Sequence, residues 1–249
     1  MNILCITQAR LGSTRLADKV LLEIIDNQTL VDCHMARVGR SKLVSKHILA
    51  IPESKQNLTL KEHCEHREYS CFTGCEYDVL TRFKELAQHE CLQEDDLIVR
   101  LTGDCPLICP DLIDFVIDRH LTAKKDYTSL DLRYHPRGFD VEVFNYRALL
   151  KAHKSCVDID FREHVTPYIY DATNNFRLQS VSCGNVKWSK YRLCIDYKED
   201  LELIISIARK LKDWLNADHK EICNFLDENY SLSDINSQSV QRMLQSSSS

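Results

Sequence analysis

Between residues 2 and 121, short apolar runs alternate with longer segments whose apolar residues recur at helical spacing, and no other feature of the chain constrains its fold as strongly. Residues 2–7, 47–51, 70–72 and 96–102 have the length and apolar content of buried strands. Residues 29–40, 58–66, 77–89 and 111–121 read as helices, and Val79, Leu80, Phe83, Leu86 and Ala87 make the clearest stripe. Strand and helix in alternation predict a mainly parallel sheet with helices on both faces, a three-layer α/β sandwich. Such sheets take ligands outside the carboxyl ends of their strands. The two most unusual loops, 8–19 and 103–106, both follow strands, so they should lie on the same edge.

The second half is mixed. Residues 141–144, 176–182 and 191–195 read as strands, and 145–154, 161–172, 200–214 and 219–229 as helices, with Pro167 expected to distort or delimit its helix. No linker or repeat divides the chain, so one domain is expected over residues 1–230, followed by an extension, 231–249, with a disordered polar end at 245–249.

Composition narrows the function classes. A net charge of −5 and a pI near 6.1 argue against a nucleic-acid binder that relies on a broad basic face. The 12 cysteines include no C-x-x-C pair, which argues against a zinc knuckle and for reduced, mostly buried thiols. The opening apolar run is too short for a signal peptide, and no run approaches a membrane span, so a cytoplasmic protein with no membrane partner is expected.

Five segments carry candidate chemistry. The first is Gln8-Ala9-Arg10-Leu11-Gly12-Ser13-Thr14-Arg15-Leu16-Ala17-Asp18-Lys19, three cations close behind a strand. Gly12 lets successive N–H groups converge on an anion, Ser13 and Thr14 add hydroxyls, and Arg and Lys suit phosphate oxygens. The spacing is not that of a Walker A loop, and a solvated basic loop is the plain alternative. The second is Arg100-Leu101-Thr102-Gly103-Asp104-Cys105-Pro106, where Asp104 is either a Mg²⁺ carboxylate or an Asx-turn. The third places Asp196 between a strand and a helix, where its spacing to Glu199 also matches a capping box. In the fourth, Gly138-Phe139-Asp140-Val141-Glu142-Val143-Phe144, alternation puts Asp140, Glu142 and Phe144 on one face. The fifth, Arg162-Glu163-His164-Val165-Thr166-Pro167-Tyr168, offers Arg162 and His164 to an anion or a hydroxyl, or to purely structural use.

Taken in order, these segments resemble the cytidylyltransferases that make CMP-sugars, the CMP-Kdo and CMP-acylneuraminate synthetases, and in particular the branch named after the spore coat polysaccharide protein SpsF. The resemblance implies a Rossmann-like nucleotidyltransferase sandwich, commonly a homodimer, that moves CMP from CTP to an acidic or phosphorylated sugar-like acceptor. It implies Arg10, Lys19 and Asp104 as catalytic groups and Asp104 and Asp196 as Mg²⁺ ligands. Ala9, Arg10, Gly12, Ser13, Lys19, Thr102 and Gly103 would contact the nucleotide. So would Gly74, Asp78 and Arg82, from a stretch similar to the family's Gly-x-x-x-Asp-Val-Leu-x-Arg. Asp140, Glu142, Arg162 and His164 would face the acceptor. No residue stands out as general base; Asp196 and a metal-bound hydroxide are both candidates. Two departures mark the chain: Ala17 where the family usually has Pro, and Tyr197-Lys198 where it usually has Thr-Pro. Two rival readings remain. One is a sugar transferase with a nucleotide-sugar donor, disfavoured because Cys105-Pro106 replaces a D-x-D pair; the other is a non-catalytic nucleotide-binding protein.

Overall fold

The computed structural model describes residues 1–239, so the tail expected at 245–249 lies outside the described residues. Its centre is a seven-stranded sheet in the order β5-β4-β1-β6-β8-β7-β9. The strands are β1 (Ile3–Gln8), β4 (Lys46–Pro52), β5 (Cys71–Gly74), β6 (Leu97–Thr102), β7 (Tyr127–Leu130), β8 (Glu142–Asn145) and β9 (Leu178–Val181), with a small separate hairpin of β2 (Glu23–Ile25) and β3 (Gln28–Thr29). Only β8 runs against the rest. The helices are α1 (Leu30–Val38), α2 (Leu58–His66), α3 (Val79–His89), α4 (Pro110–Ala123), α5 (Tyr146–Ser155), α6 (Ile159–His164), α7 (Pro167–Tyr170), α8 (Lys198–Lys210), α9 (His219–Glu228) and α10 (Tyr230–Ser233).

Side-chain alternation along the strands builds one core on each face. On β1, Ile3 and Cys5 join Leu97, Val99 and Leu101 of β6 under α1, α4, α8 and α9, while Leu4 and Ile6 join Ile98 and Phe144 under α3 and α5. The expected division on β8 holds: Val143 lies in the first core and Phe144 in the second. Local chemistry sets the helix starts. Thr29 and Asp32 form a reciprocal capping box for α1, Asp218 and Glu221 do so for α9, and Asp78 and Asn145 cap α3 and α5.

The structure departs from the sequence reading in three places. Residues 191–195 are not a sheet strand: they are buried, but their ladder reduces to one parallel bridge, Arg137 with Arg192. The β2–β3 hairpin and β7 were not anticipated, because their short, partly polar sequences carry no clear period. The helix expected over 161–172 is broken into α6 and α7. At the break, Val165 takes φ 70°, ψ −58° and the Thr166 N–H bonds the His164 carbonyl at 2.8 Å, a strained γ-turn at a fully buried β-branched residue. The extension expected after residue 230 packs onto the domain: Leu232 is buried in the first core, and Asn236 Nδ2 donates to Asp200 Oδ1 at 2.8 Å. Among the described residues no helix is long and apolar enough to cross a membrane.

Candidate active site

The two unusual loops do meet. Gln8 and Thr102 end β1 and β6 in register, and the Gly103 N–H donates to the Gln8 carbonyl at 2.8 Å. A Cβ on Gly103 would stand 2.9 Å from that of Ala9, so the loops touch only because residue 103 lacks a side chain. The basic loop is propped from outside by the turn after β4. The Leu11 N–H donates to Asn57 Oδ1 at 2.8 Å, and Gly12, at φ +88°, lies so close to the Gln56 amide that a Cβ would meet it at 2.6 Å. Ser13 Oγ accepts from the Leu16 N–H at 3.4 Å and closes the loop on itself. Arg10 points to the outer side, pairs with Glu163 at 3.1 Å, and lines a pocket of about 230 Å³ with Gly12, Gln56, Asn57 and Tyr77.

Lys19 turns inward. Its buried ammonium donates to Asp104 Oδ2 and Asp196 Oδ1, each at 2.9 Å, and to the Ile195 carbonyl at 2.7 Å. Burial alone would lower its pKa, but the two carboxylates raise it above the ordinary value and keep it charged. Asp104 also receives the Thr102 hydroxyl at 2.7 Å and the Cys105 thiol at 3.4 Å. Burial would push its carboxyl up, yet Lys19 and these hydrogen bonds hold it down to about 2. Among the described residues no backbone N–H bonds this carboxylate, so it does not form the Asx-turn weighed above; its partners are the Lys19 ammonium, the Thr102 hydroxyl and the Cys105 thiol.

Asp196 is not the helix cap that its spacing to Glu199 suggests. Helix α8 begins at Lys198, one residue later than that register requires, so the N3 position falls to Asp200. The Asp200 carboxylate accepts from the N–H groups of Tyr197 and Asp196 at 3.0 and 2.9 Å. Relieved of capping, Asp196 takes Arg15 at 2.8 Å and Lys19 on one oxygen, and Arg192 at 2.5 Å on the other. Arg15 also stacks over the Tyr197 ring at 5.0 Å, a contact available because an aromatic stands at residue 197. Arg192 was not singled out, because a spacing of four pairs side chains only on a helix and this segment is not helical. Asn57 and Gln56 gave no local signal at all.

Next to this cluster, Glu142 of β8 accepts from Arg100, from the Tyr127 hydroxyl at 2.5 Å and from the Thr166 hydroxyl at 2.8 Å. Asp140 is engaged by Arg137 at 2.5 Å and by the Gly138 N–H at 2.7 Å. His164 stands exposed on the γ-turn. Arg162 is not brought to the site. It makes four hydrogen bonds, to Asp78, to the Thr81 hydroxyl and to the carbonyls of His153 and Cys156, and its Nη2 also pairs with Asp78 at 2.7 Å. Asp78 is consumed in the same staple and in capping α3, so neither group is available to a ligand in this arrangement. Gly74 lets Phe72 and Arg82 approach, since a Cβ would meet them at 2.9 and 3.0 Å. Arg82 is buried, and among the described residues it has only two long bonds, 3.4 Å each, to the carbonyls of Ala50 and Glu76, and no partner for its Nε. Burial, with Arg10 nearby, lowers its pKa to about 10.

Among the described residues no group of three or more His, Cys, Asp or Glu could hold a metal. Two carboxylates that converge on one cation do fit Mg²⁺, which takes one or two protein oxygens and fills its shell with water and phosphate oxygens.

A family model described as cytidylyltransferase matches residues 4–226. The chain is 36% identical over 238 residues to an uncharacterized protein of Methanocaldococcus jannaschii, with 95% of each chain covered. It is 32% identical over 234 residues to the spore coat polysaccharide biosynthesis protein SpsF of Bacillus subtilis, covering 92% of this chain and 95% of that one. A solved structure of a cytidylyltransferase from Leptospira borgpetersenii superposes with a TM-score of 0.86 at 28% identity, over 98% of this chain and all of that one.

Proposed function

The chain belongs to the cytidylyltransferase family, and on that premise we propose that it transfers CMP from CTP to an acidic or phosphorylated sugar-like acceptor and releases pyrophosphate. The observation that carries this reading is the meeting of Lys19, Asp104 and Asp196 at the carboxyl ends of β1 and β6, beside a loop bearing Arg10 and Arg15. A nucleoside triphosphate needs that mixture, with cations for its phosphates and carboxylates for its counter-ion.

An acceptor oxygen attacks the α-phosphorus in line, and the bond to the α,β-bridging oxygen breaks as pyrophosphate departs. Catalysis is mostly positioning and charge neutralisation. Lys19 lies between both carboxylates and Arg15 beside Asp196, and both can swing to phosphate oxygens, while Arg10 waits at the mouth of the pocket. Asp104 and Asp196 would hold Mg²⁺, which when bound offsets charge on the α-phosphate. Ala9, Gly12, Ser13, Thr102 and Gly103 shape the loop pair that receives the nucleotide. On the acceptor side stand Glu142, Asp140 and His164, joined by Tyr127 and Thr166, which sequence reasoning did not include. By the same proposal the product is a CMP-sugar for a surface polysaccharide, in keeping with the name of the Bacillus relative, made in the cytoplasm by a homodimer.

The test is pyrophosphate release with each of the four nucleoside triphosphates, with and without Mg²⁺, against a panel of sugar acids and sugar phosphates. Release that requires CTP, Mg²⁺ and one acceptor is the expected result. Nucleoside diphosphate released from a nucleotide sugar would replace this reading with a glycosyl transfer. Stabilisation by CTP without turnover for any acceptor would replace it with a non-catalytic binder.

A further inference from the structure

Three hydrogen bonds, two buried and one partly buried, run beneath the Asp104 loop, and they admit one consistent arrangement of protons. His34, on α1, is fully buried, and its Nδ1 lies 2.9 Å from the Cys105 carbonyl. A carbonyl only accepts, so Nδ1 carries a proton. The ring's two hydrogen bonds go to a carbonyl and a hydroxyl with no carboxylate bonded to it, an environment that holds imidazole neutral. Its Nε2 is therefore an acceptor, and the Thr7 hydroxyl donates to it at 2.8 Å. With that proton committed, Thr7 Oγ1 accepts from His47 Nε2 at 2.8 Å.

The chain of bonds begins on β4, passes through the residue before the basic loop on β1, and ends on the carbonyl that follows Asp104. On the other side the Asp104 carbonyl accepts from the Ile195 N–H at 2.9 Å. Two consecutive carbonyls are thus clamped by different elements, which fixes the backbone that aims the Asp104 carboxylate. Without His34, the Cys105 carbonyl retains, among the described residues, only the long bond from the Ile108 N–H at 3.3 Å.

We propose that His34 is a positioning residue for Asp104, acting through the Cys105 carbonyl and tying the metal-side loop to the strand that bears the phosphate loop. The inference rests on the reading of Asp104 as a site carboxylate. It goes beyond that reading in naming a histidine that touches neither nucleotide nor metal.

Two amides separate the two bonds of the ring. His34→Asn places an N–H where Nδ1 stands and preserves the donor to Cys105. His34→Gln places its amide where Nε2 stands, keeps a partner for Thr7 and loses that donor. The expected result is that His34→Gln lowers kcat about ten- to a hundredfold, with little change in KM for CTP, and that His34→Asn recovers most of it. Mn²⁺ binding in the presence of a non-hydrolysable CTP analogue, followed by electron paramagnetic resonance, should weaken in His34→Gln and be retained in His34→Asn. Thermal midpoints are measured alongside. If both variants lose kcat and Mn²⁺ affinity equally, the positioning role is overturned while the function stands. If the wild type binds no Mn²⁺ with the analogue, the reading of Asp104 fails and the inference fails with it. Should both variants fail to fold, the ¹⁵N shifts of the wild-type histidines decide: a protonated Nδ1 on His34 supports the clamp, and the opposite tautomer overturns it.

Discussion

Replacing Lys19 by Met keeps the length of the stem and removes the ammonium that joins two carboxylates. The structure says which of the two suffers. Asp196 retains Arg15 and Arg192, whereas among the described residues Asp104 retains only the Thr102 hydroxyl and the Cys105 thiol. Removing one partner of a buried pair costs about 3–5 kcal/mol. The Asp104 side chain remains 26% exposed, so water recovers part of that, and about 2–3 kcal/mol is expected. For a chain of this size the melting point should fall by roughly 4–12 °C at neutral pH. The pH dependence provides the sharper check. In the wild type Asp104 is held at about 2, below its ordinary 3.8, so its contribution is fully present above 3.8 and is lost as pH falls towards 2. In the variant Lys19 no longer depresses this carboxyl. The stability gap between the two proteins should therefore be widest above pH 4 and close towards pH 2. Differential scanning calorimetry at steps across that window, with the fold checked by circular dichroism, measures it. A gap that is absent at pH 7, or that stays constant down to pH 2, would refute the assignment of Lys19 as the charge partner of Asp104. On the proposed function, pyrophosphate release by the variant also falls about 10²–10³-fold.

The other sites yield predictions of different kinds. Arg162→Gln breaks the staple between α6, α3 and α5, so it should lower the melting point by several degrees while leaving KM for CTP within about twofold; a selective rise in KM without loss of stability would return Arg162 to the ligand. Gly12→Ala forces a Cβ against Gln56 at φ +88°, at a cost of about 1–3 kcal/mol, and should weaken CTP binding by calorimetry about tenfold or more; unchanged affinity would mean that the loop conformation is immaterial. Burial lowers the pKa of His47 to about 3, and those of His120 and His135 to about 4, from the ordinary 6.5. The unfolded chain therefore takes up protons that the fold refuses, and stability should fall as pH drops from about 6.5 towards 4, before most carboxylates titrate. A melting point that is flat across that window would contradict the buried, neutral state of these rings.

What could be read along the chain was what local rules record. Strand and helix alternated as expected through α4, because burial on one or two faces leaves a period in the sequence. The meeting of the loops after β1 and β6 followed from that, since parallel neighbours put their carboxyl ends on one edge. That Asp104 and Lys19 would stand on that shared edge was legible for the same reason. What tertiary structure decided was which charge each polar group would meet. Asp196 carried the spacing of a cap, and only the true start of α8 showed that Asp200 does the capping and frees it. Arg162 and Asp78 both looked available to a ligand until packing placed them against each other. The residues 191–195 looked like a strand because they are buried, yet burial does not reveal whether a ladder partner is present. Lys19 meets Asp104 and Asp196 across 85 and 177 positions of chain. Pairings at such separations leave no period in the sequence; they are settled by how the cores on the two faces of the sheet bring its edges and loops together.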